Sequence, residues 1–305
     1  MAASVPAGAA ASASGSGFGT RRHRPGPPGE PRAVGWLYVL PALLVYGAFL
    51  LAPLGRAVQI SLYDWDGLTL GTFVGLQNYV DLVADEELRV AFVNALILMV
   101  FFAVIPVVLG LALASVLARA KVAGLGFFRT VIFLPQVVAM VVIAVAWRRI
   151  YDPANGFPPL QGWLGDYTLA LPAIGLVGTW FEIGLVTVLL LSGMGRIPGE
   201  LYEAARLDGA GPVREFLAVT LPSVRGEIAV ALTLTIIAAL KTFDLVYMTT
   251  QGGPGTSTLV PSYAVYDRAF QTAQVGSAAA IGVALTALIF VITFVVNRIG
   301  DRSTT

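Results

Sequence analysis

The chain has 305 residues, 57% of them hydrophobic and only 12% charged, with a net charge of +1 and no cysteine. A soluble domain carries about 25% charged residues, so these few charges cannot clothe a water-exposed surface, and the mean hydropathy of +0.80 points to a bilayer as the solvent. The near-zero net charge excludes a basic nucleic-acid-binding face, and the lack of cysteine excludes disulfides, thiolate metal sites and a cysteine nucleophile. The single histidine, His23, sits in a polar segment, which argues against an imidazole-based metal or catalytic site.

Residues 1–32 are rich in Ala, Ser, Gly and Pro and have no apolar periodicity, so they read as a disordered tail. Arg21-Arg22 is followed by no apolar run before Pro31, which sets aside a twin-arginine export signal. The first apolar stretch, 33–54, is too long for a cleaved signal core and reads as a span. Five more follow at 91–118, 127–149, 172–194, 227–249 and 276–297, each near the ~20 residues a helix needs to cross the bilayer. The second is long enough to tilt or to run past the membrane as helix. Pro41, Pro106 and Pro135 fall inside spans, where neighbouring helices are expected to satisfy the freed carbonyls. Barrel strands are ~10 residues long and alternate polar with apolar; these stretches do neither. The expectation is an all-α integral membrane protein with six transmembrane helices. A membrane domain at 33–298 contains a polar loop at 196–225, and a tail follows at 299–305.

Lys and Arg placement sets the orientation. With the N-terminus inside, thirteen of the 19 basic residues fall in cytoplasmic segments. Five, Arg56, Arg89, Arg148, Arg149 and Arg268, fall outside, and Lys241 lies within a span. The segment 55–90 instead carries Asp64, Asp66, Asp81, Asp85, Glu86 and Glu87. Both termini are therefore expected on the cytoplasmic side, although Arg148-Arg149 runs against the bias.

The loop between the fourth and fifth spans reads as two short helices. The first runs from about Gly199 to Asp208, with Glu200 and Glu203 near its positive end, and stops at Gly209, where a left-handed residue is cheap. The second starts with Pro212 in its first turn and is expected to close before Pro222. Tyr202, Ala205, Phe216 and Val219 give both helices apolar faces that must be buried.

Glu203-Ala204-Ala205, three residues, Gly209, nine residues and Val219-Thr220-Leu221-Pro222 resemble the EAA loop of binding-protein-dependent ABC importers, with Val219 where the family pattern has Ile. Val74-Gly-Leu-Gln-Asn-Tyr79, Phe127-Phe-Arg-Thr-Val-Ile-Phe-Leu-Pro135, Lys241-Thr-Phe-Asp244 and Gly252-Gly-Pro254 are similar to the maltose-type, carbohydrate-uptake permeases. The resemblance covers about residues 35–300. It implies a permease subunit of the cytoplasmic membrane that imports a sugar and carries no cofactor of its own. The implied partners are a second homologous permease, two ATP-binding subunits that hold ATP and Mg, and an extracytoplasmic solute-binding protein. On this reading the loop at 200–222 docks on the ATP-binding subunit through Glu203, Ala204, Ala205 and Asp208. Gly209 is the turn, and Leu221 and Pro222 join it to the fifth span.

The chain itself has no ATPase motif. A phosphate-cradling loop needs Gly-x4-Gly-Lys-Ser/Thr, and the only lysines, Lys121 and Lys241, follow Ala120 and Leu240. The Gly15–Gly19 run follows no strand, so energy must come from a partner. No cluster of His, Cys or paired carboxylates suggests catalysis. An importer of another solute, such as glycerol phosphate, would share this architecture. An ion-driven secondary transporter would show inverted repeats, and none is evident.

Within the spans, Glu182, Lys241 and Asp244 are costly in lipid, at about 2.5–3.5 kcal/mol each near the bilayer centre. Lys241 and Asp244 are three apart on the expected helix, so they either edge the translocation path or lock the helix as an ion pair. Glu182 is either a packing or a path residue. Tyr247, Tyr263, Tyr266, Gln271 and Gln274 offer aromatic faces and hydroxyl-pairing groups, against an ordinary interfacial belt. Asp64 and Trp65 are either solvated loop or a contact for the solute-binding protein.

Overall fold

The computed structural model describes residues 32–119 and 124–302. The polar segment up to residue 31, with His23 and the arginine pair, lies outside the described residues, as do Lys121 and residues 303–305. The chain divides after Ala52 into two units. In the first, α1 (Arg32–Tyr46) runs through Pro41 and opens into a wide π turn over Gly47–Leu51. Its Trp36, Tyr38, Leu44 and Phe49 are exposed, as they would be on a helix solvated by lipid.

After the π turn the order is α2 (Ala52–Ile60), a hairpin of β1 (Tyr63–Asp64) and β2 (Thr72–Phe73), α3 (Gln77–Ala84), α4 (Glu86–Met99) and α5 (Ile105–Arg119). Next come α6 (Leu125–Val137), α7 (Met140–Ile150), α8 (Ala170–Met194) and α9 (Gly199–Leu207). The last are α10 (Pro212–Glu215), α11 (Leu221–Ser223), α12 (Arg225–Leu240), α13 (Asp244–Thr249), α14 (Pro261–Tyr266) and α15 (Val275–Arg302). Among the described residues four helices are long and apolar enough to cross a membrane, and counting each of two bent pairs as one span brings the number to six. The fold is therefore the expected all-helical membrane body, apart from the small hairpin.

Prolines shape the helices through their missing N–H and the clash of their rings with the preceding turn. Wide turns at Gly47–Leu51, Val100–Val104 and Phe216–Thr220 each end two residues before a proline, at Pro53, Pro106 and Pro222. A π turn shifts the bonding from i→i+4 to i→i+5, as in Leu221 N–H to the Phe216 carbonyl, so the bonding register resets before the ring arrives. The helix from Glu86 can thus continue through Pro106 to Ala118 as one span. For Pro106 the helix's own turn, rather than a neighbouring helix alone, absorbs the proline. The same device corrects the expectation at Pro222: the second loop helix does not stop before it but runs through to Ser223.

Two expected spans are broken. The run 127–149 turns by 96° between α6 and α7, with Val138 and Ala139 extended. Pro135 withdraws the donor due to the Val131 carbonyl one turn earlier, and the β-branched Val137 and Val138 follow it. The run 227–249 ends as helix at Leu240 and restarts at Asp244. Lys241 and Asp244 therefore lie on either side of a break rather than on one helix face. Both are exposed, and no ion pair joins them among the described residues.

The centre of the body is α8, which packs against α5, α6 and α12. Glycines let the helices close on one another, the usual device where lipid supplies no hydrophobic drive. A Cβ on Gly175 or Gly178 would overlap the rings of Phe101 and Phe102, and one on Gly184 would overlap the Ile132 carbonyl. The Thr179 hydroxyl donates to the Phe101 carbonyl at 2.7 Å, an interhelical bond beside those glycines.

Candidate functional site

The loop at 199–223 is built as one piece. Glu200 sits in the first turn of α9 and Arg206 in the last, both favourable to the helix dipole. The helix ends in a Schellman turn: Gly209 has φ +74°, its N–H donates to the Arg206 carbonyl and that of Ala210 to the Ala205 carbonyl. Pro212 opens α10, as the sequence predicts. Tyr202, Ala205, Phe216 and Val219 are half-buried, whereas Glu203, Ala204, Asp208 and Gly209 are exposed, as is Pro222. Leu221 is half-buried.

Two side-chain ties cross from α9 to the following helices. The Arg206 guanidinium meets the Glu215 carboxylate at 3.3 Å, and the Tyr202 and Thr220 hydroxyls lie 3.1 Å apart. Between them is a polar cavity of about 440 Å³, walled by Ser115, Met194, Tyr202, Glu203, Arg206 and Glu215 among others. Around the Gly209 corner the loop also exposes large apolar groups. Leu207 is 89% exposed, Val213 72% and Leu217 54%. Together they leave exposed apolar side chains on an otherwise polar segment.

The residues picked out inside the membrane are not all brought together. Glu182 is 3% exposed and meets Gln136, whose side-chain amide also donates to the Phe181 carbonyl at 3.0 Å. That pairing fastens the corner between α6 and α7 to the middle of α8. Tyr247 lies elsewhere, in a ring cluster with Phe243, Tyr263, Tyr266 and Phe270. Phe243 stacks on Tyr247 with centroids 5.1 Å apart, and Gln271 donates to the Tyr266 hydroxyl at 3.1 Å. This cluster sits directly after the break that leaves Lys241 and Asp244 exposed. Gln274 is not part of it.

Other motif residues turn out to be ties. The Asn78 amide donates to the Ser61 and Tyr63 carbonyls, holding α3 against the hairpin. Trp65 donates to the Thr69 carbonyl across the hairpin tip. There the Thr69 and Leu68 N–H groups and the Thr69 hydroxyl hold the Asp66 carboxyl below the ordinary carboxylate range. Gly252-Gly-Pro254, with a cis bond before the proline, lies in a loop fixed by Asn94, whose buried amide donates to the Thr256 and Leu259 carbonyls. Asn94 and Gln136 are visible in the sequence as lone amides inside apolar runs, a signal that a search confined to charged residues passes over.

Four apolar helices long enough to cross a membrane, with two bent pairs that bring the number up to six among the described residues, mark a multi-pass membrane protein. The chain belongs to the family described as the binding-protein-dependent transport system inner membrane component, which it matches over residues 67–305. It is 33% identical to the diacetylchitobiose uptake system permease protein NgcF of Streptomyces coelicolor, over 84% of this chain and 80% of that one. It is 31% identical to the trehalose/maltose transport system permease protein MalF of Thermococcus litoralis, over 88% and 93%. Its fold matches a chain in the crystal structure of a bacterial ABC transporter involved in the import of the acidic polysaccharide alginate, with a TM-score of 0.75 at 22% identity. That match covers 90% of this chain and 96% of the other.

Proposed function

We propose that this chain is the membrane subunit of an ATP-driven, binding-protein-dependent sugar importer of the cytoplasmic membrane, and that loop 199–223 is where the driving force enters. The observation that carries the coupling role is the exposed Glu203 and Ala204 beside the bare Leu207 and Val213, on a loop tied into one body. The relatives named for diacetylchitobiose and trehalose/maltose support a sugar as cargo. On this reading both termini and the loop are cytoplasmic. A second homologous permease lines the path, two ATP-binding subunits hold ATP and Mg, and a solute-binding protein delivers the sugar from outside. Closure of the ATP-binding subunits displaces α9, and the motion reaches α12 through α11 and the 69° bend at Val224. The exposed Lys241 and Asp244, with Tyr247, edge the path. Glu182 braces a span corner near it.

Glu203→Ala in the reconstituted complex is expected to abolish both solute uptake and solute-stimulated ATP hydrolysis. Unchanged values for both would overturn the coupling role. The cargo is tested separately, by thermal stabilisation of the co-purified solute-binding protein with a sugar panel and glycerol 3-phosphate. Stabilisation by the phosphate alone would remove the sugar. The chain has no cysteine, so single cysteines at Asp85 and Arg206 test orientation: labelling from the same side would contradict it.

A further inference from the structure

The corner at Gly209 is a weak point in a part that must transmit force. Its backbone bonds are local, from Asp208, Gly209 and Ala210 back into α9. The bond from Glu215 N–H to the Gly211 carbonyl is likewise local to α10. Gly209 stands at φ +74°, and among the described residues no heavy atom lies within 4 Å of where its Cβ would stand, so no side-chain packing at that position stiffens the corner. Rigidity across the corner has to come from side chains. Arg206 lies in the last turn of α9 and Glu215 at the end of α10, so their pairing closes the corner like the third side of a triangle. Both Nη2 and Nε face the carboxylate, at 3.3 and 3.5 Å from its two oxygens, a fork geometry that fixes direction as well as distance.

Burial makes the pair directional. The Glu215 side chain is 5% exposed and that of Arg206 63%. An exposed ion pair contributes little because water replaces either partner. A buried carboxylate cannot regain its water when a partner leaves, so bending the corner far enough to part the two is resisted. The Tyr202–Thr220 contact ties the same helices one turn away, with Thr220 also buried.

We propose that Arg206 and Glu215 are positioning residues for energy coupling. They lock α9 and α10–α11 into one lever, so that a displacement delivered at Glu203 reaches Pro222 and α12 instead of being absorbed by flexing at Gly209. The proposal rests on the reading that an ATP-binding subunit drives this loop. It adds that the loop's internal stiffness, apart from its contacts, sets how much solute moves per ATP.

The test uses the full complex in proteoliposomes, with uptake and ATP hydrolysis measured together. Arg206→Gln is expected to keep hydrolysis close to wild type while solute moved per ATP falls at least about fivefold, the low end of an ordinary coupling energy. The second arm is the Arg206→Cys/Glu215→Cys pair, clean because the chain has no other cysteine. Uncoupled as purified, it is expected to regain most of the solute-to-ATP ratio when bridged by a short bis-thiosulfonate, and to lose it again on reduction. A ratio unchanged in Arg206→Gln would overturn the brace. So would a ratio that falls but is not regained on bridging, since local destabilisation alone would then account for it. Glu203→Ala in parallel separates the two ideas. If it abolishes uptake and solute-stimulated hydrolysis while Arg206→Gln leaves the ratio unchanged, only the brace fails; if it leaves both unchanged, the loop's coupling role fails and the brace with it.

Discussion

Substitution at Gly209 separates backbone conformation from contact. At φ +74° an ordinary L-residue suffers a clash between its Cβ and the following carbonyl that costs about 1–2 kcal/mol, while Asn tolerates the conformation through local hydrogen bonds. Among the described residues no heavy atom lies within 4 Å of the position a Cβ would take, so the cost there is backbone strain. A loss of 1–2 kcal/mol changes an opening equilibrium by a factor of about 5–30. Hydrogen exchange of the Gly209 and Ala210 amides, bonded to the Arg206 and Ala205 carbonyls, reads that factor directly. Protection is expected to fall in the order Gly, Asn, Ala, Val, with Val lower than Gly by about that factor and Asn close to Gly. Equal loss in Asn and Val, or no loss in Val, would refute the strain argument. Transport by the complex should follow the same order. An Asn variant that protects its amides but fails in the complex would mean that the partner's surface presses on this corner.

Three further outcomes follow from the packing. Gly178→Ala drives a methyl group into the Phe102 ring and should destabilise the solubilised protein by about 1–3 kcal/mol; thermal unfolding should show this penalty relieved in a Phe102→Leu background. Asn94→Leu removes both amide bonds to the 250–260 loop, and the expected loss is about 1–2 kcal/mol. Limited proteolysis should cut that loop faster in the same variant. Lys241→Gln and Asp244→Asn should combine additively in stability within about 0.5 kcal/mol, because a helix break parts the two residues. A larger coupling would favour the ion pair, one of the two readings that the sequence leaves open.

The multi-span helical character and the punctuation of the loop are legible because both rest on strong local signals. Length of apolar run finds a span whatever its neighbours do, and Gly209 and Pro212 punctuate the loop by backbone chemistry that needs no tertiary context. The broken spans were not legible. Hydropathy counts apolar residues and is blind to a bend, so 127–149 looks the same whether it crosses the bilayer straight or turns at Val138. At Pro222 local reasoning gave the wrong stop, since it allowed only an α-helix, whereas a wide turn at Phe216–Thr220 lets the chain carry on. The ring cluster around Tyr247 is half visible in the sequence: its tyrosines stand out as aromatic, hydroxyl-bearing groups, whereas Phe243 joins them only through the break at Lys241. Glu182 was marked by its charge, yet its partner Gln136 lies 46 residues away on another span and depends on the corner that the hydropathy profile hides.

The claim that energy enters through the exposed tip of the loop is tested most directly by a single cysteine at Ala204 in the reconstituted complex. Paired with cysteines scanned along the cleft of the ATP-binding subunit, it should form a disulfide that halts uptake and solute-stimulated hydrolysis together, both returning on reduction. If Ala204→Cys instead reacts freely with a bulky maleimide at every stage of the cycle, and the modified complex still transports, the loop is not where the driving force enters.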